Sequence, residues 1–378
     1  MDEEKMDVII VGGGIAGLAA ARILAENGLM VLLIERGSYC GAKNVSGGKL
    51  YSAGLEEIFP GLESSGALER RIVRERVFCR DADKGYREVS CEGVDVVKPE
   101  GAAYSVLRAR LDAWLSEQVE ESGAMLINNI CVTGLMVEDG RVCGVVAGDE
   151  EMAADVVILA EGVNGLLAKE LGLRAELEPS ETCVGVKEVL EMDGALIEER
   201  FHLNPGEGAE YMFLQDGREP LFDGFLYTSR ESVSVGVEVC LSDLESSGMS
   251  VPEMLEVFKA RPEIACLIQG GRLSEYSAHL VSRKCGGPLG RLYGDGVLLV
   301  GDTAGLVANF GSVIRGMDLA AESGRLAAET VLEASAAGDY SAQRLSVYQQ
   351  KVADGIIGKT MAACKGGRNG LEEKVWLE

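Results

Sequence analysis

The sequence predicts an α/β fold: a Rossmann-like dinucleotide-binding domain with an inserted, mainly β second domain of α+β type. Three observations predict it. A glycine-rich turn joins a strand to a helix within residues 6–26, a Gly-Asp pair follows another apolar strand at residues 301–302, and strand-like alternation fills much of the chain between them.

The first unit runs strand, turn, helix, strand, acid. Residues 6–11 are rich in β-branched side chains. Gly12-Gly13-Gly14-Ile15-Ala16-Gly17 follows at once, and an alanine-rich helical stretch runs on to about Glu26. A second apolar run, residues 30–34, ends at Glu35. Gly12 permits the tight turn, Gly14 leaves room for a pyrophosphate against the backbone, and Gly17 lets helix and strand pack closely. The helix start at Ile15 and Ala16 aims amides and the positive dipole end at the phosphates. Glu35 is spaced to accept hydrogen bonds from ribose hydroxyls.

Residues 36–48 form a loop of glycine and small residues, with Arg36, Asn44, Ser46 and Gly47 as candidate ligand contacts. Alternation over residues 71–97 (Val77, Phe78, Val89, Val94, Val96, Val97) reads as sheet of another layer. Arg108 stands before a helix expected over 111–122. Strands are expected at 125–130, 133–138, 141–147 and 151–154, with Asp139-Gly140 as a hairpin turn and Val132 beside the second of them. The buried strand 154–159 ends in small residues, including Glu161 and Gly162, where backbone again nears a ligand. Strands at 183–191, 222–229 and 232–241 and a helix at 251–259 form the inserted region.

The chain then returns with the strand 296–300, followed by Gly301, Asp302 and Gly305. Asp302 suits the ribitol hydroxyls of a flavin, a charge-assisted contact. Gly316 and Met317 open a helix running to about Ser335, whose amide end would favour negative charge on a flavin ring. The two turns together point to bound FAD rather than NAD, and no second glycine-rich unit follows a strand to hold a nicotinamide cofactor. The expected division is a cofactor domain of residues 1–70, 101–180 and 278–337, a substrate-side domain of 71–100 and 181–277, and a helical tail, 338–378.

At 378 residues, 47% of them hydrophobic, the chain can bury a large core. A net charge of −25 argues against nucleic acid. No apolar run reaches the roughly 18 residues of a membrane span, and the acidic start is unlike a signal peptide. The expected location is cytoplasmic, with peripheral contact at the inner face of the cell membrane left open. The ten cysteines form no CxxC pair and no iron–sulfur or zinc spacing, and two histidines leave no His-rich metal site. The cysteines read as structural thiols, with Cys40 the one placed near a ligand. His279 reads as a structurally bonded histidine, with a place near the flavin–substrate boundary as the alternative. No residue is assigned as catalytic.

These motifs in this order resemble the FixC and electron-transfer-flavoprotein:quinone oxidoreductase family, within the geranylgeranyl reductase and hydroxylase-like flavoproteins. The more specific marks are Lys43-Asn44-Val45-Ser46-Gly47-Gly48, the stretch from Leu107 to Leu115, Val184-Gly185-Val186-Lys187-Glu188-Val189, Gly224-Phe225-Leu226-Tyr227-Thr228, Glu275-Tyr276-Ser277-Ala278-His279 and Gly316-Met317-Asp318-Leu319-Ala320. The resemblance extends to about residue 350. It implies a glutathione-reductase-2-like fold in which Gly12, Gly14, Gly17, Glu35, Arg108, Gly301, Asp302, Gly316 and Met317 line FAD. It implies electron transfer from an electron-transfer flavoprotein through FAD to a quinone, with a separate ferredoxin-like subunit. Two departures stand out. Glu161-Gly162 replaces the family's usual Asp-Gly, and the C-terminus lacks the cysteine-rich 4Fe–4S domain of mitochondrial-type quinone oxidoreductases, as FixC-type members also do, and stops earlier than expected even for those. Alternatives are a prenyl reductase acting on isoprenoid double bonds, a hydroxylase, and a non-catalytic FAD-binding docking subunit. Val45-Ser46-Gly47 stands where prenyl reductases usually carry a cysteine, which counts against the first.

Overall fold

A computed structural model describes residues 5–44, 48–81, 85–89, 101–215, 222–282, 289–310 and 314–364. Val94, Val96, Val97, Ser46, Gly47 and the residues after 364 lie outside that set.

The parallel core of the first sheet follows from three apolar stretches, residues 8–11, 31–34 and 156–159. Met6–Val11 lies at its centre, flanked by Val31–Ile34 and by Glu150–Leu159, with Val297–Leu299 beyond the latter and Met125–Ile127 beyond the former. Val8 is registered with both Val156 and Val31. Strands buried on both faces read as continuous hydrophobic runs, which is why no alternation marks them. Glu150–Leu159 is one strand, not the two expected. Its first half pairs antiparallel with Arg141–Ala147 and its second half parallel with Met6–Val11.

The first helix, Ile15–Glu26, packs on one face of this sheet beside Arg108–Glu121 and the long helix Met317–Ala337. The second of these begins at Arg108, one turn before its expected start, because Leu107 keeps an extended backbone and serves as N-cap. Strand Met125–Ile127 ends early because Asn129 takes a left-handed φ of 62° and turns the chain back, its N–H donating to the Gly37 carbonyl. Helices Ala342–Leu345, Val347–Asp354 and Ile356–Ala363 follow the long helix, and Tyr348 donates from its hydroxyl to the Leu299 carbonyl at 3.0 Å.

The second sheet has nine strands and a divided character. Along it run Arg272–Ser282, Thr182–Glu191, Ser232–Cys240, Asp223–Thr228, Glu207–Leu214, Arg71–Asp81, Ala103–Val106 and Gly48–Tyr51, with Gly85–Val89 paired to Arg71–Asp81. Gly48–Tyr51 and Ala103–Val106 were not anticipated as strands. They are only four residues each, too short for a periodic signal. One face of the central strands carries Val186, Val233, Val235, Val237, Leu226, Tyr211 and Phe213, packed with Phe201, Met254, Leu255, Phe258 and Ile264 of the covering helices. The alternate residues on the opposite face are the ones that matter for function.

Candidate functional site

The glycine turn is fixed by contact. Gly12 has φ 109°, and a Cβ there would lie 2.3 Å from the Ala160 carbonyl oxygen. A Cβ at Gly17 would lie 2.1 Å from the Gly12 carbonyl oxygen, so helix and strand close only on hydrogen. Gly14, by contrast, has no neighbour within 4 Å of such an atom: it faces open space. That space belongs to a cavity of about 650 Å³, within the range of cofactor sites.

The cavity starts at Gly12, Gly14, Ile15 and Ala16, passes Glu35, Arg36, Asn44, Arg108, Val132, Glu161 and Gly162, and reaches Gly301, Asp302, Gly316 and Met317. Fifteen of the nineteen sequence candidates therefore share one wall system. Gly17 instead serves the helix–strand contact, and Gly305, with φ 71°, closes the turn Gly301–Ala304 without forming part of the wall. Ser46 and Gly47 lie outside the described residues.

Several candidates have partners of their own. Glu35 is buried and accepts from the Gly13 amide at 2.8 Å and the Gly37 amide at 2.6 Å, which pins its carboxylate beside the turn. Glu161 accepts from the Leu167 and Ala168 amides at 2.9 and 3.1 Å, so its carboxylate is spent on the start of Leu166–Glu170. Arg108 forms a bidentate pair with Asp112 at 2.8 and 2.7 Å, and Asn44 donates to the same carboxylate. Burial works against the Arg108 charge, but Asp112 more than restores it. Burial raises the Asp302 carboxyl, opposed by His279, Arg108 and Arg174. Arg174 donates to the Asp302 and Thr303 carbonyls at 2.7 and 2.9 Å and so braces the turn.

Cys40 does not line the cavity. It is buried under Gly13, and burial together with Glu35 pushes its thiol up to about 12. Among the other described cysteines Cys364 departs from the free thiols expected: it is disulfide-bonded. His279 lines the cavity, in keeping with the alternative reading that sets it near the flavin–substrate boundary. Burial lowers its pKa, with Arg108, Lys187 and Arg36 adding to the shift and Asp302 resisting it.

The sequence missed the opposite wall. The second sheet presents Gly185, Lys187, Met212, Asp223, Phe225, Tyr227, Glu238 and His279 to the same cavity, and Lys49 joins them, paired with Glu210. Lys187 is buried among them, and burial followed by Arg108 brings it down to about 7, against the pull of Glu275. The available signal was a lysine two residues after a glycine in the otherwise valine-rich run Val184-Gly185-Val186-Lys187: polar side chains at period 2 on a buried strand.

The pattern of the family described as FAD dependent oxidoreductase matches residues 7–174. Protein FixC of Escherichia coli (strain K12) is 46% identical over 358 residues, covering 94% of this chain and 83% of FixC. The chain belongs to the FixC family. The relative named probable electron transfer flavoprotein-quinone oxidoreductase YdiS, also from E. coli K12, is 42% identical over 363 residues, 96% of this chain and 84% of YdiS. A geranylgeranyl bacteriochlorophyll reductase-like protein from Thermoplasma acidophilum shares the fold, with TM-score 0.77 at 21% identity over 99% of this chain and 88% of that one. The halogenase PltM, solved with FAD as an L111Y mutant, shares it at TM-score 0.67 and 17% identity, over 92% of this chain and 73% of PltM.

This FixC-family protein is thus an FAD-dependent oxidoreductase. The residues present fit the cofactor: the space at Gly14 admits a pyrophosphate, and the remaining cavity runs past Asp302 to Met317. FAD supplies the redox chemistry when bound. The chain supplies the cleft, the amide ends of Ile15–Glu26 and Met317–Ala337, and a buried set of charges centred on Arg108, Asp112 and Asp302. Among the described residues no helix is long and apolar enough to cross a membrane.

Proposed function

We propose that the protein passes electrons from an electron-transfer flavoprotein through FAD to a quinone, working with a separate ferredoxin-like subunit. The observation that carries this reading is the joining of the glycine turns and the second sheet around one cavity, so that one wall serves a cofactor and the other a small molecule. The printed names of the relatives add the partner class: YdiS and YgcN of E. coli are each described as a probable electron transfer flavoprotein-quinone oxidoreductase. In this reading the fifteen candidates that line the cavity, less Glu161, hold FAD directly. Contact with a membrane surface, where quinones dissolve, is part of the same proposal.

The ionisable side chains of the second sheet favour a quinone over an isoprenoid chain, because a hydrocarbon gives such groups no partner. The test is turnover. Purified holoprotein receives reduced electron-transfer flavoprotein and a short-tailed quinone, with and without a ferredoxin partner. Quinone reduction that needs the ferredoxin supports the full proposal. Reduction of a geranylgeranyl lipid in its place, or no flavin oxidation by any quinone, refutes it.

A further inference from the structure

The cavity face of the second sheet is ordered in rows. Across five neighbouring strands the register sets Ser277, Lys187, Gly236, Phe225 and Met212 side by side. The adjacent row sets His279, Gly185, Glu238 and Asp223. Period-2 geometry puts all of these on the face turned away from the valine layer. Two glycines, Gly236 and Gly185, interrupt the rows, and at Gly236 a neighbouring ring fills the space. A Cβ at Gly236 would lie 2.3 Å from the Phe225 ring and 2.7 Å from Lys187 Cβ. The Phe225 ring therefore lies across Gly236, and the Lys187 ammonium stands 5.8 Å from its centre. Ring and lysine both line the cavity.

We infer that Lys187 and Phe225, brought together by Gly236, form the subsite for the acceptor ring, with Lys187 donating a hydrogen bond to a ring carbonyl oxygen while the ring lies against Phe225. This inference rests on the quinone reading above and adds to it a residue, an atom type and a substrate class: a planar ring bearing oxygen. The chemistry follows from the wall itself. An aromatic face offers an apolar planar shelf. An ammonium carries three N–H donors, so beside its contacts within the chain it can donate to an oxygen in the cavity, and hydrogen bonds to charged groups are the stronger kind. Arg108 opposes the Lys187 charge and Glu275 supports it, and His279, Glu238 and Asp223 face the same space. None of the FAD contacts proposed above lies on this row.

The experiment compares two ligands of one shape. Menadione and 2-methylnaphthalene differ only in the two ring oxygens. Each is bound to oxidised, FAD-loaded full-length protein and followed by equilibrium dialysis, using wild type, Lys187→Met and Lys187→Arg. Flavin content and circular dichroism verify that the variants are folded and loaded. The expected result is that K187M weakens menadione by about tenfold or more, the scale of a lost charged hydrogen bond, and leaves 2-methylnaphthalene unchanged. K187R retains most of the menadione affinity. An equal loss for both ligands, or no loss for either, overturns the Lys187 subsite while leaving the quinone reading intact. Wild type that binds menadione no better than 2-methylnaphthalene overturns the quinone reading, and the subsite with it.

Discussion

Replacing Asp112 by asparagine tests how the site keeps its central cation. Arg108 is the first residue of its helix, where the dipole disfavours positive charge. Its side chain is only 18% exposed and that of Asp112 is 0% exposed, with two N–H to oxygen contacts of 2.8 and 2.7 Å between them. Asparagine keeps the volume and removes the charge, leaving a guanidinium without its counter-ion. Breaking a buried pair from one side costs roughly 3–5 kcal/mol, and the partial exposure of Arg108 sets the expectation near the lower end, about 3 kcal/mol. Replacing both partners, Arg108→Met with Asp112→Leu, removes the orphaned charge and returns most of that loss. The assay is urea unfolding of FAD-free protein, where cofactor binding does not add to stability, run on wild type, the single variant and the double variant. A single variant within about 1 kcal/mol of wild type, the scale of an exposed pair, refutes the reasoning. So does a double variant as unstable as the single.

Four further outcomes are expected. Gly14→Ala folds normally, because nothing lies within 4 Å of the new methyl, but retains less FAD, whereas Gly17→Ala, with its methyl 2.1 Å from the Gly12 carbonyl oxygen, loses about 1–3 kcal/mol of stability as well; flavin content after gel filtration and melting curves separate the two. Asp302→Ala loses flavin on the same column, and an unchanged flavin content and spectrum rejects its role as a cofactor contact. Under native conditions at pH 8, iodoacetamide labels Cys131 and Cys266, both exposed, and leaves Cys40 unmodified, as read by peptide mass spectrometry. The Lys187 ammonium drops from an ordinary 10.5 to about 7 on folding, so between those values the unfolded chain binds more protons and stability rises with pH; the stability gap between wild type and K187M shifts in favour of wild type from pH 7 to pH 10, and a flat difference rejects the buried lysine.

The glycine turns were legible because each glycine answers a local demand. Gly12 needs a left-handed backbone and Gly17 a missing Cβ, and both demands arise within six residues of chain. The acid at Glu35 was legible from spacing alone. The second wall was not. Lys187, Gly236 and Phe225 meet only through the pairing of three strands, and sequence gives strand existence more readily than register. Asp112 was hidden for another reason: in a helix of mixed character it looks like an ordinary surface acid, and only its burial at 0% exposure marks it. Cys40 follows the second strand closely, yet the chain folds it beneath Gly13 and off the cavity wall, a placement no spacing in the sequence marks.

The interlock between the long helix and the first one sets a schedule for synthesis. A Cβ at Gly324 would lie 2.2 Å from the Ala16 carbonyl oxygen, so the nucleotide cleft takes its final shape only when residues some 300 positions apart lie against each other. A ribosome adding about 5–20 residues per second spends roughly 15–60 s between them. Through that interval the nascent apolar strands Met6–Val11 and Val31–Ile34 lack their last covering helix, and they depend on whatever shields emerging polypeptide in the cell.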